Sequence, residues 1–473
     1  MLKDFEMVIG LEVHIELGTK TKIFCGCSTE FGAAPNTHVC PVCMGLPGTL
    51  PVLNRQVVDY AIKAGLATHC EIAKFSKQDR KNYFYPDLPK AYQISQYDLP
   101  LCEHGWVEIE SENGPKKIGI TRIHIEEDAG KLVHDPKKGT MIDNNRCGVP
   151  LIEIVSEPDI RSAAEADAYL KKLRAYILYT GVSECKMNEG KMRCDVNLSV
   201  RPRGSDKFGT RTEMKNLNSF QFIQKAIEYE FRRQVEVIES GGEIVQETRR
   251  FDQLSGKTYS MRRKEDANDY RYFPDPDLIP IVMTDEDLNR LRREIPQLPD
   301  ERKAQYMKDF GLSAYDGEML TNEKFVADYF ETAAKETKYP KILANLITTE
   351  IFRIMPPDAT EMAISSAALA AIADMSGEGR INGGTAKKLV AEIWEKGGDP
   401  EEIVRTRDLE QISDTETLMR LAKEVLAENE KSVSDYKGGK TAAFGALMGK
   451  MMAKTHGKGN PIRCNEILTE LLK

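Results

Sequence analysis

Residues 121–158 place acids, histidines and amides inside what otherwise reads as β-strand, and carboxylates held against a sheet need a counter-ion. Ile123 and Ile125 alternate with His124 and Glu126, and Ile152 and Ile154 flank Glu153. At a side-chain period of two, the β-branched residues build the sheet while the acids project from one face. Near the start of the chain, Glu12-Val13-His14-Ile15-Glu16 repeats the pattern, with Glu12, His14 and Glu16 sharing a face. Two such strands side by side would make a cradle for a divalent metal. Each strand alone has a plainer reading: a sheet with one wet face carries Glu and Lys there, and a lone histidine is commonly a hydrogen-bonded surface residue.

Four of the ten cysteines are grouped. Cys25 and Cys27 form C-x-C, and Cys40 and Cys43 form C-x-x-C after a loop rich in glycine and proline. That spacing can bring four thiolates around one tetrahedral zinc, with His38 as a substitute ligand and four free thiols as the competing reading. Cys70, Cys102, Cys147, Cys185, Cys194 and Cys464 lack such spacing and read as half-buried thiols. Disulfides are not expected, because the chain reads as cytoplasmic. MLKDFEMVIG lacks the apolar core of a signal peptide, and no run of ~18 apolar residues offers a membrane span.

Arg80-Lys81-Asn82-Tyr83-Phe84-Tyr85-Pro86-Asp87 and Tyr92-Gln93-Ile94-Ser95-Gln96-Tyr97-Asp98 form loop regions rich in aromatics and amides, the chemistry of a binding surface. With GLEVHIEL (10–17), DRKNYFYPDLPKAYQISQYDLP (79–100), HIEEDAGK (124–131), NRCGVPLIEIVSEPD (145–159), MRCDVNLSVRP (192–202), MKNLNSF (214–220) and DYRYFPDPDL (269–278), the chain closely resembles the B-subunit family of the glutamyl-tRNA/aspartyl-tRNA amidotransferases. The resemblance runs nearly end to end. One departure is Asn144, where the family usually has an aromatic residue or leucine; a local packing change is expected there, with the reaction intact.

The resemblance implies an ATP-dependent reaction on glutamate or aspartate mis-attached to an amide-accepting tRNA: the side-chain carboxylate is phosphorylated and ammonia displaces phosphate. It assigns Glu12, His14, Glu127 and Glu153 to magnesium, and leaves open whether Glu126 or Glu127 is the ligand, since adjacent strand residues face opposite ways unless a bulge intervenes. It places Lys81 and Asp195 near the ammonia entrance, where they could exchange protons with ammonium; a structural salt bridge is the alternative for both. Arg80 is a weaker phosphate contact. Zinc on Cys25, Cys27, Cys40 and Cys43 would be structural and dispensable to the chemistry, as only some family members carry the cluster. Ammonia would come from an amidase-type glutaminase A subunit, with a small C subunit completing a heterotrimer, and mischarged tRNA would be the substrate. In keeping with that, the chain has neither a Gly-Gly-Ser-Ser motif nor a cysteine after Met1.

The elements that must position these residues imply an α+β protein. At 473 residues and 41% hydrophobic content, the chain can bury about two or three domain cores. Strand-like runs at 7–17, 117–125, 151–155 and 196–200 dominate the first part. Two helices interrupt them: one starting at a Ser162/Glu165 capping box with a Leu170, Leu173, Ile177 stripe, the other covering about 220–239. After Pro296 and Pro299 the pattern is helical, with loop signals at Pro356-Pro357, Gly383-Gly384 and Gly397-Gly398. The reading is a mixed-sheet cradle catalytic domain over 1–290, a helical domain over 291–400 and an all-α tail over 401–473.

Gly439-Lys440-Thr441 imitates a phosphate-binding loop, but Ser434 stands where that motif needs glycine. Residues 437–458 hold Lys437, Lys440, Lys450, Lys454, Lys458 and His456 without an acid. This run reads either as a solvated lysine face backed by close-packed Gly445 and Gly449, or as a contact to phosphates. The resemblance favours the second, with Lys450 and Lys454 as tRNA contacts. A net charge of -8 argues against indiscriminate coating of nucleic acid, though a local basic surface can still bind RNA. Two other classes stay open: a zinc-stabilised RNA-binding module without catalysis, and a stand-alone metal-dependent amino-acid ligase.

Overall fold

The computed structural model describes residues 2–263, 270–357, 359–412 and 414–473; Asp269, the first residue of the 269–278 motif, lies outside them. The chain forms two compact units, Met1–Leu298 and Pro299–Lys473. In chain order the first unit's strands are β1 (Phe5–Glu16), β2 (Glu71–Ile72), β3 (Phe75–Ser76), β4 (Asp79–Asn82), β5 (Tyr92–Ser95), β6 (Cys102–Ser111), β7 (Gly114–Glu127) and β8 (Lys131–Asp135). They continue with β9 (Gly139–Asp143), β10 (Pro150–Ser156), β11 (Met192–Pro202), β12 (Thr212–Lys215), β13 (Glu247–Asp252), β14 (Lys257–Arg263), β15 (Phe273–Pro274) and β16 (Ile281–Val282). Its helices are α1 (Arg55–Ala67), α2 (Ala163–Thr180), α3 (Phe220–Glu239) and α4 (Asp285–Glu294).

A nine-stranded mixed sheet in the order β14-β13-β12-β11-β1-β10-β7-β6-β2 carries the candidate site. β1 lies between β10 and β11, antiparallel to both, and β12 pairs in parallel with β13. The period-two pattern sorts the central strands into two faces. Leu11, Val13 and Ile15, with Ile123, Ile125, Ile152, Ile154, Val196 and Leu198, are all buried and join one cluster with Ile62, Leu170, Leu173, Ile177, Ile223 and Ile227 of α1, α2 and α3. Burial of this kind stabilises by about 1.5–3 kcal/mol per large aliphatic side chain, so the helices hold the sheet by its apolar face and leave the acids on the other.

The two helices begin and end on the expected residues. Ser162 Oγ accepts from the Glu165 amide at 3.1 Å, and α2 stops at Gly181, whose φ of 70° suits glycine. The capping box is only half formed, because the Glu165 carboxylate accepts from the Arg161 amide at 2.8 Å and pairs with Lys116. Ser219 Oγ caps α3 through the Phe222 amide at 3.2 Å.

The second unit is helical and holds two hydrophobic clusters, one around Leu320, Phe330, Leu343, Ile372 and Val390 and one around Leu418, Val425, Leu447, Met451 and Leu468. Gly383-Gly384, expected as a loop, opens the helix Gly383–Lys396 instead. Asn382 accepts from the Thr385 amide at 2.8 Å, and this cap outweighs the low helix propensity of the glycines. A π-helical stretch at Leu346–Ile351 has no signature in the sequence. Among the described residues no helix is long and apolar enough to cross a membrane.

Candidate active site and metal centre

Register brings the acids together. His14 lies opposite Glu153 on β10, and Glu153 lies opposite His124 on β7; opposed residues share a face, so these three side chains meet, with Glu126 two residues along β7 on the same face. His14 Nε2 stands 3.5 Å from Glu153 Oε2, while His124 Nε2 is 3.4 Å from the same oxygen and 3.1 Å from Glu126 Oε1. One donor atom from each of His14, Glu126 and Glu153 lies within 4.8 Å of the others. Ser95 Oγ and Gln93 Nε2 donate to Glu126 at 2.8 and 3.2 Å.

Lys81 faces this group from β4. Its ammonium lies 5.0 Å from the centre of the Tyr270 ring and 6.0 Å from that of Tyr83. Burial works against its charge, but Glu126, Tyr272 and Glu153 push its pKa above the ordinary lysine range. Reciprocally, burial opposes ionisation of Glu126, yet Lys81 and His124 hold that carboxyl down at about 2. His124, disfavoured as a cation by burial, is raised to about 9 by Glu153 and Glu126. Carboxylate and cationic side chains in the group thus oppose one another's charge.

A second group lies one pair along. Glu12 opposes Asp195 on β11, and their carboxylates converge with that of Glu213 within 4.8 Å. Lys215 pairs with both Asp195 and Glu213, at 2.9 Å from the latter, and Asn197 Nδ2 donates to Glu12 at 2.8 Å. Burial, followed by the neighbouring Glu153 carboxylate, pushes the Glu12 pKa up despite that hydrogen bond. A carboxylate so placed is short of positive charge.

Glu127 joins neither group. No bulge interrupts β7 opposite residues 150–155, so alternation sends Glu127 away from Glu126. There it accepts from the Ile94 amide at 2.9 Å and forms a buried pair with Lys90. Both line a cavity of about 220 Å³ with Lys22, Phe24, Cys43 and Arg80. Arg80 is held by Asp275 at 2.7 Å and Asp277 at 3.1 Å, with its guanidinium 4.4 Å from the Tyr92 ring centre. Its charge is therefore already matched. The geometry brings His14 and Glu153 together as expected, sets Glu12 with Asp195, and separates Glu127 from all four.

Sulfur atoms of Cys25, Cys27, Cys40 and Cys43 all lie within 4.8 Å of one another, and those of Cys40 and Cys43 are 4.0 Å apart. A tetrahedron with zinc–sulfur bonds of about 2.3 Å has edges of about 3.8 Å, so the cluster fits zinc with little movement. The Cys25 hydrogen bond, the Cys40 amide and the nearby Lys22 ammonium hold the Cys43 thiol down at about 4, against the effect of burial. His38 is not part of the four-sulfur group; its backbone amide is bound by Asn145 Oδ1 at 2.8 Å.

The lysine run is acid-free in sequence but not in space. Lys454 pairs with Glu424 at 3.3 Å and with Glu428 at 2.5 Å, Lys458 pairs with Asp408, and Lys440 pairs with Asp435 at 2.9 Å. Lys437 and Lys450 make no ion pair among the described residues. Gly445 and Gly449, expected to be close-packed, have open space where a Cβ would stand; the helix Ala442–Lys454 buries Leu447 and Met451 instead.

Residues 7–289 match the GatB/GatE catalytic domain and residues 328–472 the GatB domain. Over 477 residues the chain is 56% identical to the B subunit of the aspartyl/glutamyl-tRNA(Asn/Gln) amidotransferase of Caldicellulosiruptor saccharolyticus, covering 99% of each chain. The chain belongs to the amidotransferase B-subunit family. The B subunit of Carboxydothermus hydrogenoformans is 53% identical over 478 residues, covering 100% of this chain and 99% of the relative. That of Thermodesulfovibrio yellowstonii is 50% identical over 472 residues, covering 99% of each. In this B-subunit chain, sequence reasoning missed Glu213 and Lys215, although their period-two spacing on β12 was visible. It also missed Lys90, which carries no signal until the fold sets it against Glu127.

Proposed function

We propose that this chain is the B subunit of a tRNA-dependent amidotransferase that converts aspartate or glutamate, esterified to the tRNA of the corresponding amide, into that amide. In the first step a side-chain carboxylate oxygen attacks the γ-phosphorus of ATP, giving an acyl phosphate and ADP. In the second, ammonia attacks the acyl carbon, phosphate leaves with the bonding electrons, and the nitrogen passes one proton to the departing phosphate. This divides one difficult substitution into two easier ones.

The observation that carries the reading is the convergence of His14, Glu126 and Glu153 on one sheet face opposite Lys81. Two carboxylates and an imidazole suit a divalent cation that keeps positions free for phosphate oxygens. Glu126 takes the part expected of Glu127, with Glu12 one pair away. Magnesium bound there would offset the negative charge that ATP and the substrate carboxylate bring together. Lys81 supplies fixed positive charge to the same space, and Ser95 and Gln93 hold Glu126 in place. Asp195, paired with Lys215, would exchange a proton with incoming ammonium. Cys25, Cys27, Cys40 and Cys43 would hold a structural zinc.

Ammonia would be released by an amidase-type A subunit in a heterotrimer completed by a small C subunit. In the second unit, Lys450 is the better candidate for a tRNA phosphate contact, because Lys454 is already paired. The test supplies ammonium chloride in place of the partners. The purified chain with ATP, magnesium and mischarged tRNA is expected to consume ATP and form the amide. Equal ATP consumption with correctly charged tRNA or with free amino acid would contradict the assignment.

A further inference from the structure

Lys22 is fully buried, at 0% exposure, and among the described residues its ammonium has no carboxylate at ion-pair distance. Its two partners are Cys43 Sγ at 3.7 Å and the Asn144 carbonyl oxygen at 3.3 Å. Its backbone amide donates to the Cys27 carbonyl at 2.9 Å, so the residue starts beside one cysteine of the cluster and ends on another. Glu127 lines the same cavity, but its charge is met by Lys90. An ammonium withdrawn from water is strongly disfavoured unless something anionic compensates it. Without a metal, the thiols add little compensation beyond Cys43, since a thiol is a weak acceptor. A zinc ion held by four thiolates carries a net double negative charge and compensates the ammonium fully.

We propose that Lys22 is the built-in counter-charge of a four-thiolate zinc centre, its ammonium hydrogen-bonded to Cys43 Sγ and fixed in direction by the Asn144 carbonyl. The inference rests on the zinc reading above. Cys43 also accepts from the Cys40 amide at 3.2 Å, so one sulfur receives two donors and its charge is the best stabilised of the four. Lys22 is a positioning residue: it touches no reacting atom, and it retains the metal by lowering the net charge of the centre. The Asn144 contact uses the backbone carbonyl, so the ammonium's placement does not depend on the side chain at that position.

The test uses the full-length chain loaded with zinc, with metal transfer to a competing chelator and unfolding as readouts. Lys22→Met is expected to bind zinc 10–100-fold more weakly, the usual effect of removing a partner of a metal ligand. Zinc removal should lower the unfolding midpoint of the wild type more than that of Lys22→Met, because a metal bound more tightly stabilises the folded state more. Lys22→Gln, which keeps a donor without the charge, should lose affinity as well. If Lys22 merely packs, its replacement will lower both the zinc-bound and zinc-free forms equally, and that result overturns the proposal. So does wild-type zinc affinity in either variant. A wild-type chain that takes up no zinc overturns the zinc reading itself, which the metal content of the starting protein reveals separately.

Discussion

Glu126 and Glu127 are adjacent and chemically alike, and the fold gives them opposite work. Glu126 joins His14 and Glu153 under the field of Lys81, whereas Glu127 is buried against Lys90 and the Ile94 amide. Removing one member of a buried ion pair leaves the other uncompensated, at a cost of about 3–5 kcal/mol. Glu127→Gln is therefore expected to destabilise the first unit by about 3 kcal/mol, read as a lower urea midpoint. An unchanged midpoint would show that the pair contributes nothing to the fold. In the sequence the two acids diverge only if the strand alternates without a bulge. The sequence does not show which one turns toward His14, since that depends on the pairing of β7 with β10 and on the absence of a bulge there.

At the scale of elements, strands and helices were legible because aliphatic residues repeat at two or about 3.6 and end at recognisable caps. Leu170, Leu173 and Ile177 mark the buried face of α2, and Ile123, Ile125, Ile152 and Ile154 mark the apolar face of the sheet. Polar clamps between elements far apart in sequence were not legible. Glu230 on α3 accepts from Thr212 at 3.0 Å, Thr258 at 2.8 Å and Gln234 at 3.0 Å, and pairs with Arg233 and Arg249, tying the helix to β12, β13 and β14. Burial opposes its charge, but Arg233 and the hydrogen bonds hold its pKa below the ordinary 4.5. A carboxyl depressed in the folded state stabilises fully above its unfolded pKa, and this contribution disappears as pH falls through the folded value. Unfolding free energy should thus drop as pH falls below about 4.5, and Glu230→Gln should flatten that part of the curve while lowering stability at neutral pH. A variant as acid-sensitive as the wild type would show that Glu230 is not the source of the acid sensitivity.

At the scale of the whole molecule, the chain joins a sheet-borne acid site to a helical unit bearing unpaired lysines. If Lys450 meets phosphate, Lys450→Glu should lower the slope of log affinity against log salt by roughly one. Lys454→Glu should act mainly through its lost pairs with Glu424 and Glu428, with a smaller change in slope. Equal slopes in the wild type and Lys450→Glu would make the run a solvated surface. In the proposed reaction His14, Glu126 and Glu153 hold the cation that serves the phosphorylation step. Manganese binding to the full-length chain, followed by electron paramagnetic resonance, tests that role most directly by comparing the wild type with Glu126→Gln and Glu127→Gln. Glu126→Gln is expected to lose the tight manganese site and Glu127→Gln to keep it; loss of the site in Glu127→Gln with retention in Glu126→Gln would make Glu127 the ligand instead.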